Sequence, residues 1–174
     1  MIQRIQTVYL GLVLILSFAS LVSGNIGEWL IGDTSVASFS NFTFRASAPF
    51  DSLDPINGPW CLGILLILVM FLTTMSILLF RKRMRQLRLT IFSTILLVGY
   101  VAAYALFAFF YDLNIDVFAS TAYEKGIELG GALFPTFHLR FVSIFPVLNI
   151  ILNCLAIQGI RKDEALVRSL DRIR

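Results

Sequence analysis

The sequence predicts an all-α integral membrane protein: a bundle of four transmembrane helices, a small extracytoplasmic cap with short β-hairpins, and a cytoplasmic amphipathic helix at the C-terminus. Three observations predict it. The first is composition. Of 174 residues, 57% are hydrophobic and 14% charged, with mean hydropathy +0.83; soluble domains average roughly 45–50% apolar and about 25% charged residues. The second is a set of four runs without Asp, Glu, Lys, Arg or His: Ile5–Ser23, Trp60–Phe80, Leu89–Tyr111 and Phe141–Ile160, of 19, 21, 23 and 20 residues. Crossing ~30 Å of hydrocarbon at ~1.5 Å per residue takes about 20 residues, so each run can cross once, as a helix that satisfies its own backbone. The third is the placement of charge. Eleven of the 14 basic residues flank the runs on one side, against three acids; the other side holds Arg45, Lys125 and Arg140 against eight acids. The positive-inside rule then puts both termini and the 81–88 segment in the cytoplasm. One domain, 1–174, is expected, and composition excludes disordered, collagenous and disulfide-scaffold classes.

Along the chain, the first run follows a short n-region ending at Arg4 and closes on Leu21-Val22-Ser23, a poor cleavage site, so a retained signal-anchor helix is expected. In the 24–59 loop, Phe42 and Phe44 alternate with Thr43 and Arg45 within Val36–Ala46, which favours a short strand or hairpin. Asp54-Pro55 and Asn57-Gly58-Pro59 are turn signals leading to Trp60 and the second span. The third span is expected to end at Tyr111. The 112–140 loop is read as a helical turn or two over Asp112–Tyr123, then a hairpin about Gly130-Gly131. The two outer loops are expected to fold together. In the fourth span, Pro146 removes a helical hydrogen bond and predicts a local kink. In the tail, Leu166, Leu170 and Ile173 recur at i, i+4, i+7 with Arg168 and Arg172 on the other side, the pattern of a basic amphipathic helix lying on the inner leaflet or a partner.

No ionisable residue lies in the four runs, which argues against proton relays and ion-coupled transport. Uncharged polar residues do occur there. Asn149 and Asn153 are one turn apart, as are Tyr100 and Tyr104. Thr73, 13 residues beyond Trp60, falls near the depth of Tyr100 and Asn153. These five are the candidate polar cluster of the bundle, with an expected hydrogen bond from an Asn to a Tyr or Thr of the second or third helix. Bridging helices is the plainer role for such groups, and a ligand or headgroup pocket the sharper one. Arg81, Lys82, Arg83, Arg85, Arg168 and Arg172 are candidate contacts for anionic lipid or a partner. Asp51/Asp54, Asp112/Asp116 and Glu124/Glu128 are paired carboxylates with no accompanying nucleophile, so solvated surface is the better reading. Asn41-Phe42-Thr43 fits a glycosylation acceptor, a triplet common by chance. The only cysteines, Cys61 and Cys154, lie at different depths and are expected to be free thiols. With one His, no zinc cluster can be assembled.

The ends MIQRIQTVY (Met1–Tyr9) and IRKDEALVRSLDRIR (Ile160–Arg174), with the basic 81–88 segment between, resemble a family of small inner-membrane proteins of Bacteroidota known as a domain of unknown function. The resemblance spans essentially the whole chain and implies a bacterial inner-membrane protein of four helices. It brings no activity, cofactor or catalytic residue. The topology is also similar to claudin-type four-helix proteins, although the paired cysteines of their first outer loop are missing. The expected function is non-enzymatic: an accessory, scaffold or assembly subunit of a cell-envelope complex. The alternative is a lipid or small-molecule binding protein that uses the polar bundle interior. Expected partners are the bilayer, anionic headgroups at the cytoplasmic face, and a membrane-protein partner or a second copy of the chain. Neither a cofactor nor nucleic acid is expected.

Overall fold

A computed structural model describes residues 3–31, 34–46, 59–79, 82–124 and 136–171. In chain order the elements are α1 (Gln3–Val22), β1 (Gly27–Ile31), β2 (Thr34–Phe39), β3 (Phe44–Ala46), α2 (Trp60–Leu78), α3 (Arg83–Glu124), β4 (Thr136–Leu139), a 3-10 turn (Phe141–Ile144) and α4 (Phe145–Asp171). The fold is mostly helical, and four helices are long and apolar enough to cross a membrane: Ile5–Val22, Trp60–Leu78, Arg83–Asp112 and Phe141–Leu166. The chain divides into two compact units. Unit 1 comprises Met1–Leu21, Leu65–Val101 and Ile144–Arg174; unit 2 comprises Val22–Ile64 and Ala102–Ser143.

Unit 1 is built on a repeat that alternates steps of three and four residues. Its buried positions include Gln6, Leu10, Val13, Ser17 and Ser20 on α1; Leu66, Val69, Thr73 and Ser76 on α2; Gln86, Thr90, Ser93, Leu97 and Tyr100 on α3; and Asn149, Asn153, Ala156, Ile160 and Asp163 on α4. Steps of three and four average ~3.5 residues, the period that keeps one seam of each helix facing its neighbours in a left-handed bundle. The polarity of this unit is inverted. More than half of the buried seam is hydroxyl, amide or carboxylate, while Ile5, Val8, Ile15, Phe18, Phe71, Phe92 and Ile95 are each more than half exposed.

Unit 2 holds a four-stranded antiparallel sheet in the order β3-β2-β1-β4. The segments 24–59 and 112–140 do fold together, because β4 from the second pairs with β1 from the first. The register sets Trp29 opposite Phe137 and Ala37, and Gly27 opposite Phe39 and Leu139. One face of the sheet is therefore aromatic. Glu28, His138, Ser38 and Arg45 lie opposite one another across the four strands on the other face. A register shift between Trp29 and Leu30 leaves Val36 of β2 as the extra residue of a bulge. Gly27 is required at its position: a Cβ there would lie 2.7 Å from the rings of both Phe137 and Phe39.

Several local expectations are corrected. The basic segment 81–88 is not a loop, because α3 already begins at Arg83. Cations at a helix N-terminus oppose the macrodipole, so nothing in the local sequence marks this start; the Arg83 guanidinium instead donates to the Asp163 carbonyl at 3.1 Å. Past Tyr111, α3 runs on unbroken to Glu124 instead of making a turn or two, with Asn114 Nδ2 bonded back to the Phe110 carbonyl at 2.7 Å. The tail is no separate helix, since α4 continues from Phe145 to Asp171 without interruption. Leu166 on the expected apolar stripe is exposed; the side chain of Leu170 and the whole of Ile173 lie outside the described residues. Pro146 stands where the 3-10 turn gives way to α4, not in the middle of that helix. It is the second residue of α4, where its missing N–H would have no intrahelical partner in any case. The turn signals of Asp51–Gly58 and the hairpin about Gly130-Gly131 lie outside the described residues.

Candidate functional site

The polar seam of unit 1 is the candidate site. Asn149 and Asn153 are both fully buried. Asn149 Nδ2 donates to Ser17 Oγ on α1 at 3.0 Å, and Asn153 Nδ2 donates to Ser93 Oγ on α3 at 3.4 Å. Ser93 in turn lies 3.3 Å from Thr73 Oγ1, which donates to the Val69 carbonyl at 2.8 Å. A further layer joins Ser76 Oγ to Thr90 Oγ1 at 2.9 Å, and Thr90 Oγ1 donates to the Gln86 carbonyl at 3.0 Å. At one end Gln6 Nε2 donates to the buried Asp163 carboxylate at 2.7 Å. The seam thus links all four helices through short side chains.

Of the expected cluster, the structure brings Asn153 and Thr73 together through Ser93. The two amides donate to Ser17 and Ser93, and Asn153 reaches Thr73 of the second helix only by way of Ser93. Tyr104 lies in unit 2, where it lines a groove beside β4. Tyr100 is buried in the α3 seam. A small Ser lets the backbones approach closely enough for an amide to reach across, whereas a Tyr ring would hold them apart. Sequence reasoning missed Ser93, Gln6 and Asp163. The signal that finds them is the three-and-four step itself: each sits on a seam whose other members include Thr90 and Leu97, Leu10 and Val13, or Ala156 and Ile160.

Among the basic candidates, Lys82 and Arg85 are exposed and Arg83 is half-buried on Asp163. Arg81, Arg172 and the side chain of Arg168 lie outside the described residues.

In unit 2 the central residue is Trp29, fully buried. Its ring lies 4.9 Å from Phe137, 5.8 Å from Phe39, 5.9 Å from Phe44 and, edge-on, 6.4 Å from Tyr111. Its indole N–H donates to Asp112 Oδ1 at 2.7 Å, so the one polar atom of the ring is satisfied. The start of α2 is held by the β2–β3 turn: Gly63 N–H donates to the Asn41 carbonyl at 3.0 Å, satisfying a group near the helix N-terminus that lacks an intrahelical partner. Asn41 itself is buried, which leaves no room for a glycan. On the polar face of the sheet, Arg140 pairs with Glu28 at 2.7 Å, and that carboxylate raises the arginine above its ordinary value. Cys61 and Cys154 are free thiols.

Bundle, seam and sheet define a class: four helices of membrane-spanning length joined by a polar interior, with a small antiparallel sheet inserted between them in sequence. A family model described as domain of unknown function (DUF4293) matches residues 2–173, and the chain belongs to that family. No curated protein and no solved structure matches the chain.

Proposed function

We propose that this is a non-enzymatic, multi-pass inner-membrane protein of a bacterial cell, with both termini and the basic 81–88 segment in the cytoplasm, serving as an accessory or assembly subunit of a cell-envelope complex. The observation that carries the reading is the inverted polarity of unit 1. A helix bundle with Phe, Ile and Val outside and Asn, Ser and Thr inside is stable in lipid, where no hydrophobic force draws apolar side chains together and polar groups must find one another. The seam spends these groups on bonds between helices, which suits a scaffold. The segments 24–59 and 112–140 then face outward, and the basic residues meet anionic headgroups on the inner side. Extraction of native membranes in mild detergent, followed by pull-down of the full chain, tests the reading: a stoichiometric protein partner is expected.

One observation favours a second reading. Neither Asn149 Oδ1 nor Asn153 Oδ1 accepts a hydrogen bond, although both are buried. Two unsatisfied carbonyl oxygens one turn apart suit a small polar molecule held in the bundle interior. In the same pull-down, a co-purifying small molecule without protein, lost on replacing Asn153 by Leu, supports this alternative.

A further inference from the structure

Unit 2 contains a groove of about 300 Å³ between α3 and the edge strand β4. Ala108 lies at its base, Tyr104 and Phe109 flank it on α3, and Phe137 and Leu139 line it from β4. Its origin is local. Ala105 and Ala108 offer only a methyl each to the face of α3 that meets the strand, between larger aromatic neighbours. Phe137 and Leu139, two residues apart, project from the same side of β4.

The groove carries charge at the Asp112 end. Asp112, the one carboxylate among the described residues that line it, lies about 12 Å along α3 from Tyr104. Its side chain is held in place by the Trp29 indole N–H at 2.7 Å. Between Asp112 and Tyr104 the lining is mostly apolar and open, with Phe109 and Leu139 both exposed. On the membrane reading proposed above, on which this inference rests, Asp112 stands at the outer rim just after Tyr111, and Tyr104 lies below it within hydrocarbon. The order of polarity along the groove is then that of a phospholipid: charge at the rim, hydrocarbon beneath.

We propose that the groove holds one acyl chain of an outer-leaflet phospholipid whose primary ammonium, as in phosphatidylethanolamine, donates a hydrogen bond to the Asp112 carboxylate. Charge selects the headgroup. An anionic lipid would meet both Asp112 and the surplus of acids on that side of the chain, eight against three basic residues. A choline headgroup carries the positive charge but has no N–H to donate. A primary ammonium has both the charge and three donors.

The test uses the full chain in nanodiscs of equimolar dioleoyl phosphatidylethanolamine, phosphatidylcholine and phosphatidylglycerol, with the lipid that stays bound on release counted by native mass spectrometry. An ion pair at a partly exposed site predicts about three- to fivefold retention of the ethanolamine lipid over the other two. Asp112→Asn, which keeps an oxygen for the Trp29 N–H but loses the charge, should bring that ratio to unity. Ala105→Phe, at an exposed lining position, should abolish retention while the near-ultraviolet circular dichroism of the Trp29 cluster is unchanged. Equal retention of the three lipids, a preference for the glycerol lipid, or an ethanolamine preference that survives either substitution overturns the proposal. So does displacement of the lipid by a partner helix that occupies the groove in the native complex. Alkaline carbonate extraction separates the two levels: release of the chain from membranes sinks the membrane reading, whereas retention without headgroup preference sinks the lipid site alone.

Discussion

Trp29 illustrates how much of unit 2 depends on one side chain. It is the largest fully buried residue, it touches rings from β2, β3, β4 and α3, and its single donor is bonded to Asp112. Trp29→Phe retains an aromatic ring but leaves a gap and strips the half-buried Asp112 of its donor. A loss of about 2–3 kcal/mol is expected, read as a lower thermal midpoint in detergent by near-ultraviolet circular dichroism. Gly63 is similarly constrained, because a Cβ there would run into the Phe42 ring. Gly63→Val is expected to displace Phe42 and with it the β2–β3 turn, at a cost of about 1–3 kcal/mol. The same thermal melt checks it, and an unchanged midpoint contradicts the packing described. By contrast, the Arg140–Glu28 pair is open to solvent on the arginine side. Glu28→Gln should change the midpoint by the equivalent of less than ~1 kcal/mol, and less still at high salt.

At the scale of the element, the seam of α4 carries amides where a soluble helix would carry Leu. Its two Asn residues reach different partners, Ser17 on α1 and Ser93 on α3, so one helix is tied to two neighbours from adjacent turns. Asn153→Leu removes one bond and an unsatisfied carbonyl together, while Ser93 keeps Thr73 as a partner. The expected destabilisation is therefore small, about 0.6–2 kcal/mol or less. Asp163→Ala is different, since it leaves the buried Gln6 amide without its acceptor; about 1–3 kcal/mol is expected. Melting the two variants side by side in the same detergent ranks them, and the reverse order would contradict the seam. The continuity of α3 and α4 was not legible in sequence. Neither Tyr111–Asp112 nor Ile160–Arg161 contains a Gly or Pro to stop a helix, and the change from apolar to charged composition marks a change of surroundings, not of backbone.

At the scale of the whole molecule, the two cysteines report on the proposed topology. Cys61 is the second residue of α2, while Cys154 lies 13 residues into the fourth apolar run, roughly 20 Å deep. In intact cells stripped of the outer membrane, an impermeant maleimide is expected to label Cys61 and to leave Cys154 unmodified, although Cys154 is on the exposed surface of α4. Labelling of Cys154 from outside would refute the proposed orientation. The sequence by itself determined the helix count, because backbone satisfaction over 19 to 23 uncharged residues leaves one solution. It also pointed to strand within Val36–Ala46, where most of β2 and all of β3 lie, since alternation and β-branched content are local properties. Only the tertiary structure decided that β4 would cross from the second segment to pair with β1, that Asp112 would accept from the Trp29 indole, and that Ser17 and Ser93 would receive the amides of α4. The physical reason is common to all three. Depth and periodicity are fixed along one helix or strand, but which faces meet depends on how closely two backbones can approach, and that is set by the side chains of both partners at once.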